Sequence, residues 1–144
     1  MRTRALLAGI VMVLLLCGPA AAGYIDNGNG TVTDTATGLV WQKQDDAKKR
    51  TWAEAVAYCK GLSLAGHKDW RLPEVKELQS ILDSKRRAPA IDPIFTGAKS
   101  YGYWSGTDHT TFFTQAWWIY FLDGGLGYNS KTDPTFAIYV RCVR

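Results

Sequence analysis

Thr51-Trp52-Ala53-Glu54-Ala55-Val56-Ala57-Tyr58-Cys59-Lys60-Gly61 and, shortly after it, Asp69-Trp70-Arg71-Leu72-Pro73-Glu74-Val75-Lys76-Glu77-Leu78-Gln79-Ser80-Ile81-Leu82 decide how the rest of the chain is read. In the first stretch Thr51 and Glu54 have the spacing of a capping box, and Trp52, Ala55, Val56 and Cys59 recur at helical spacing. Gly61 suits a left-handed end to that helix. In the second, Pro73 fits a first helical turn, while Glu74 and Glu77 favour the positive N-terminal end. Val75, Leu78, Ile81 and Leu82 then form its apolar face, and Lys85-Arg86-Arg87 lies just past its end. Both stretches read as helices.

The chain on either side of this pair has a different pattern. Residues 24–43 read as a hairpin: Asn27-Gly28-Asn29-Gly30 supplies a turn, Thr31-Val32-Thr33 is β-branched, and Ala36-Thr37-Gly38 turns again into Leu39-Val40-Trp41. Asp26, Asn27 and Asn29 miss the spacing of an EF-hand, so they are assigned to the turn rather than to calcium. Downstream, Tyr101–Trp104, Trp117–Leu122 and Phe136–Val143 read as strands, with Asp123-Gly124-Gly125 as a turn. Helices followed by a strand cluster predict an α+β domain.

Working outward to the N-terminus, Arg2 and Arg4 precede an apolar run from Ala5 to Cys17, and Ala20-Ala21-Ala22 offers small residues for cleavage. That is the layout of a signal peptide over 1–22, leaving one domain at 23–144 in an exported, periplasmic, cell-surface or secreted protein. An uncleaved anchor, or a lipid on Cys17, is the alternative membrane link; the bulky Leu16 argues against lipidation. The net charge of +4 includes Arg2 and Arg4, a balance too mild to suggest nucleic acid. Cys59 and Cys142 remain after the leader, and in an oxidising compartment such a pair reads as a disulfide, worth about 4 kcal/mol; two free thiols are the other reading.

Reaction chemistry finds little to build on. His67 and His109 have no metal-type spacing, Ser105 lacks a Gly-x-Ser-x-Gly elbow, and no cofactor or metal is expected. Trp70 reads as core, with Arg71 tying loop carbonyls together. In Trp117-Trp118-Ile119-Tyr120-Phe121-Leu122, alternation puts Trp117, Ile119 and Phe121 on one face and Trp118, Tyr120 and Leu122 on the other. Trp118 and Tyr120 either face solvent, ready to stack on sugars or a partner, or belong to a strand buried on both sides. Lys48-Lys49-Arg50 and Lys85-Arg86-Arg87 are either solvated helix flanks or, together, a patch for anionic ligands.

Tyr24-Ile25-Asp26-Asn27-Gly28-Asn29-Gly30-Thr31-Val32-Thr33-Asp34 and Thr37-Gly38-Leu39-Val40-Trp41, taken with several later motifs, resemble the bacterial family of Lcl C-terminal domains. The later motifs are Thr51-Trp52 through Cys59, Asp69-Trp70-Arg71-Leu72-Pro73 with Glu77-Leu78, Tyr103-Trp104-Ser105, Ala116-Trp117 and Tyr139-Val140-Arg141-Cys142. The resemblance spans essentially all of 24–144. It implies a C-type-lectin-like fold, with two helices flanking a small, mainly antiparallel sheet, long loops and a Cys59–Cys142 bridge. The family's relatives imply binding of anionic polysaccharides rather than a reaction. The sugar-binding triplets of calcium-dependent lectins are absent, Asp133-Pro134 being the nearest fragment, which argues against calcium-mediated recognition.

The expectation is therefore an exported, adhesin-like binding module for a polysaccharide or surface protein, with a homo-oligomer left open. In lectin-like folds the variable loops carry recognition, which points to residues 105–116 and 123–135 and to Asp108, His109, Tyr128, Asn129 and Lys131 within them. The competing reading is a structural module of the cell envelope that assembles through the aromatic face of Trp118 and Tyr120.

Overall fold

The computed structural model describes residues 23–144, so the expected leader and Cys17 lie outside the described residues. The chain enters through strands β1 (Tyr24–Asp26), β2 (Thr31–Asp34) and β3 (Val40–Gln42), an antiparallel meander. Its first turn is made by side chains. Asn27 donates to the hydroxyls of Thr31 and Thr33, and Asn29 accepts the Thr31 N–H and hydroxyl. Gly28 and Gly30 adopt positive φ there, which their lack of a Cβ permits. Asp26 is held by Lys43 at 2.6 Å, so the acid and amides of this turn are spent on the turn itself.

Helix α1 (Trp52–Gly61) starts on the expected capping box of Thr51 and Glu54 and buries Ala55 and Cys59. Its end differs from expectation. Gly61 stays helical, and the cap is Leu62 in extended backbone with its N–H on the Cys59 carbonyl. Helix α2 is only Val75–Ser80, burying Leu78. The Glu74 N–H donates to the Glu77 carboxylate at its start, and the Ser80 hydroxyl bonds back to the Glu77 carbonyl. Leu82 leaves the helix to bridge with Ile91, which is why the apolar face read from sequence outruns the helix. Trp70 is core, its indole N–H on the carbonyls of Leu64 and His67.

A second antiparallel sheet follows: β4 (Gly102–Asp108), β5 (Gln115–Tyr120) and β6 (Gly125–Ser130), in that order. Tyr103, Ile119 and Phe121 pack with Leu78, Ile81 and Phe95 on one side. Trp104 and Ala116 pack with Ala55, Ile138 and Val140 on the other. Two three-stranded sheets and two short helices make the protein mostly β. This overturns the α+β, C-type-lectin-like arrangement of two helices flanking one small sheet.

The reasons are local. The N-terminal hairpin gains a third strand and becomes a sheet of its own. Residues 125–130, read as part of a recognition loop from the lectin-like resemblance, form β6. Gly127 is needed there, since a Cβ would lie 2.1 Å from the Trp118 ring that rests on it. Conversely, 136–143 is no strand of either sheet. It is a connecting segment whose bridges, Arg50–Ile138, Tyr103–Tyr139, Trp41–Val143 and Arg71–Val143, stitch both sheets together.

That segment carries two further ties. Cys142 is bonded to Cys59 across 83 residues, as expected. Beside it Arg141, fully buried, donates to the carbonyls of Gln42 (2.8 Å), Lys43 and Thr96 and pairs with buried Asp45 at 3.1 Å. The Tyr103 hydroxyl donates to the same carboxylate. Burial lowers the proton affinity of Arg141 and pushes the Tyr103 phenol up, so the phenol stays a donor.

Candidate functional site

The edge of the second sheet presents an aromatic cluster. Trp117 on β5 lies directly opposite Tyr128 on β6, their rings edge to face at 5.4 Å. His109, just past the end of β4, slots between Trp117 (4.6 Å) and Phe112 (5.3 Å), within 28° of parallel to both. Tyr128 closes on it at 4.4 Å. The loop is folded around the imidazole: His109 Nδ1 accepts the N–H groups of Thr111 and Phe112. That bonding uses the ring nitrogen as an acceptor and turns Phe112 and Phe113 outward, 52% and 69% exposed. Leu126 and Tyr128 continue the same surface, each about half exposed. Exposed apolar side chains gathered this way are a common mark of an interaction site.

The sequence-derived candidates sort themselves around this cluster. His109 and Tyr128 belong to it. Asp108, opposite Ala116 and so on the other face of the sheet, forms an ion pair with Lys131, whose ammonium also lies 5.0 Å from the Trp52 ring. Asn129 is opposite Ala116, on the other face from Tyr128, and its side-chain oxygen accepts the Ser130 N–H. Residues 105–108 and 125–130 are strand rather than loop, so the rigid sheet holds most of these groups. Phe112, Phe113, Trp117 and Leu126 were missed as surface residues. The signal available was Phe112-Phe113 between threonines in a segment too polar to be core.

Trp118 and Tyr120 sit on the opposite face of the sheet. Trp118 is covered in part by Phe136, and both line a shallow cleft of about 170 Å³ with Tyr101, Gly102 and Ile138. They are neither fully exposed nor fully core, and they do not join the His109 cluster.

The two basic runs make separate contacts. Lys49 lies 4.0 Å over the Tyr101 ring, and Arg50 grips Asp46 while stacking on Tyr58. The hydrogen bonds from Arg50 hold the Asp46 carboxyl below its usual range. Arg86 pairs with Asp83 at 3.0 Å, and with Arg87 it lines an open basin of about 540 Å³ floored by Phe95 and Ile91. Among the described residues Lys48, Lys85 and Arg87 have no ion-pair partner. Also among the described residues, no group of three or more His, Cys, Asp or Glu side chains converges as metal ligands.

A family model described as Lcl C-terminal domain matches residues 30–144, from the first turn to the chain end. The chain belongs to the Lcl C-terminal domain family. No curated protein matches it. In this Lcl C-terminal domain the cysteine pair and the Tyr139-Val140-Arg141-Cys142 segment serve the core, whereas the His109 cluster lies at the open edge of the second sheet.

Proposed function

We propose that this Lcl C-terminal domain is a non-catalytic binding module of an exported protein, and that it holds a polysaccharide against the His109 cluster. The observation that carries the reading is the exposed aromatic surface of Phe112 and Tyr128, both packed on His109, with exposed Phe113 next to Phe112 in the chain. Tyr128 on a strand and Phe112 on a loop tied to the His109 Nδ1 give apolar contact with little entropy to lose on binding, as sugar faces require. The exposed Tyr128 supplies a hydroxyl that can hydrogen-bond to sugar hydroxyls.

His109 supports a binding role over a catalytic one. Its Nδ1 is occupied by two backbone N–H groups, and its ring is enclosed by aromatic neighbours rather than by a nucleophile or carboxylate. The basic residues are assigned a secondary part. Lys48, Lys85 and Arg87 carry charge without an internal partner, so they favour anionic chains over neutral ones by long-range attraction that weakens with salt.

The test is a glycan array on the purified protein followed by titration calorimetry. Replacing Phe113 and Tyr128 by alanine is expected to reduce affinity at least tenfold, about 1.4 kcal/mol. Neutralising Lys48, Lys49, Arg50, Lys85, Arg86 and Arg87 is expected to flatten the salt dependence while some binding survives. Unchanged affinity in the aromatic double variant would refute the assignment.

A further inference from the structure

We propose that two copies of this chain join edge to edge through β6, antiparallel about a two-fold axis at Gly127. This goes beyond the binding proposal and holds whether or not a glycan is the ligand.

The inference starts from backbone groups. β6 pairs with β5 on one side, and among the described residues no strand pairs with its other side. The Lys131 N–H bonds to the Thr114 carbonyl in the register that sets Trp117 opposite Tyr128. Odd-numbered residues of β6 therefore point their N–H and C=O groups at β5, and Leu126, Tyr128 and Ser130 point theirs outward. The Ser130 N–H is taken up by the Asn129 side chain, which leaves the outward groups of Leu126 and Tyr128 for a neighbour.

Edge strands normally carry protection such as Pro, a lysine, a bulge or a covering loop. Gly125-Leu126-Gly127-Tyr128-Asn129-Ser130 has no charge and no proline, its pairing with β5 is regular, and Leu126 is 52% exposed. The free edge of the first sheet among the described residues, β1, is three residues long and ends in Asp26. Protection is present on β1 and missing on β6.

The occupant is argued from self-complementarity. With Gly127 opposite Gly127, Leu126 of each copy faces Tyr128 of the other, and each of these pairs exchanges two N–H···O bonds. An aliphatic and an aromatic side chain then meet twice on one face, a favourable cross-strand combination. On the other face the glycines let the strands meet without side chains in the way. An arbitrary extended peptide would lack that twofold matching of Leu126 with Tyr128. Six residues of edge make a small interface, so the association is expected to be concentration-dependent.

Sedimentation equilibrium on the purified protein tests it, with a concentration-dependent dimer expected. Leu126→Lys places two like charges beside the axis and is expected to weaken self-association about tenfold or more. Its thermal unfolding should match the parent, because Leu126 is half exposed. The register is read by cross-linking. Leu126→Cys mixed with Tyr128→Cys is expected to form a disulfide-linked heterodimer under mild oxidation, in higher yield than either variant alone. The Phe113→Ala variant separates this from glycan binding, since it is expected to lose glycan and keep the dimer. A protein that is monomeric at every concentration, a dimer indifferent to Leu126→Lys, or equal cross-linking in all mixtures would overturn the proposal.

Discussion

Around Arg141 the chain encloses its polar groups, whereas around Tyr128 it leaves rings and backbone groups facing solvent. Arg141 has four protein oxygens for its two terminal nitrogens, the disulfide beside it, and only its Nε without a partner. Tyr128 is 49% exposed on a strand whose outer edge pairs with no other strand among the described residues. Folding requires the first region to be complete before function uses the second. The difference teaches which residues to change for stability and which for binding, and it can be broken from either side.

The largest effect is expected from Asp45→Ala. It leaves the Arg141 guanidinium buried without its counter-charge and removes the acceptor of the Tyr103 hydroxyl. Losing one partner of a buried pair typically costs about 3–5 kcal/mol. Urea denaturation of Asp45→Ala against the Asp45→Ala, Arg141→Met double variant measures it. The double variant removes both buried charges and should cost less than Asp45→Ala alone. If the two cost the same, burial of the charge is not what makes this region expensive to disturb.

Close behind comes the Cys59→Ala and Cys142→Ala double variant. The bridge closes 83 residues of sequence separation, and removing a native disulfide from a small domain costs roughly 2–5 kcal/mol. Alkylation of the native protein without reductant should find both thiols protected. By contrast, Tyr128→Ala is expected to change stability by only about 1 kcal/mol, the scale of an exposed aromatic pair, while lowering ligand affinity at least tenfold. A stability loss in Tyr128→Ala as large as in Asp45→Ala would erase the distinction between the regions.

This contrast also explains what was legible in the amino-acid sequence. The capping box at Thr51, the Asn-Gly turn, the Cys59–Cys142 pair and Trp70 as core depend on near neighbours in sequence or on the cysteine count, and they emerged from pattern alone. The architecture did not. β6 was hidden because Gly125 and Gly127 have poor strand propensity, and their reason, the Trp118 ring lying on Gly127, is tertiary. Residues 136–143 alternated like a strand but spend their backbone bonds on isolated bridges to several elements. At the site, His109 and Tyr128 were identifiable as polar aromatics near turns. Phe112 and Phe113 were not, because nothing local says that the loop folds around a histidine Nδ1.

The smallest expected effect sharpens the comparison from a third position, the half-exposed link between the regions. Arg71 donates to both carboxylate oxygens of Glu77 at 2.8 Å, and Glu77 also caps the start of α2 through the Glu74 N–H. The Arg71 hydrogen bonds hold the Glu77 carboxyl below the usual 4.5 of a glutamate, more strongly than partial burial raises it. A carboxyl whose folded value is depressed adds stability that is complete above its unfolded value. That contribution is lost as pH falls through the lower folded value. The parent is therefore expected to lose a small part of its stability as pH drops below about 4.5, and Glu77→Gln to lose less over that window while being slightly weaker at neutral pH. Thermal unfolding at a series of acidic pH values reads both slopes. Because the pair is exposed on the Arg71 side, solvent screens it, and the effect should shrink further in salt. Asp45 should behave otherwise, since a pair with side chains at most 1% exposed is beyond the reach of screening ions. Equal salt sensitivity of the Glu77→Gln and Asp45→Asn effects would show that the Arg141 region is not sealed.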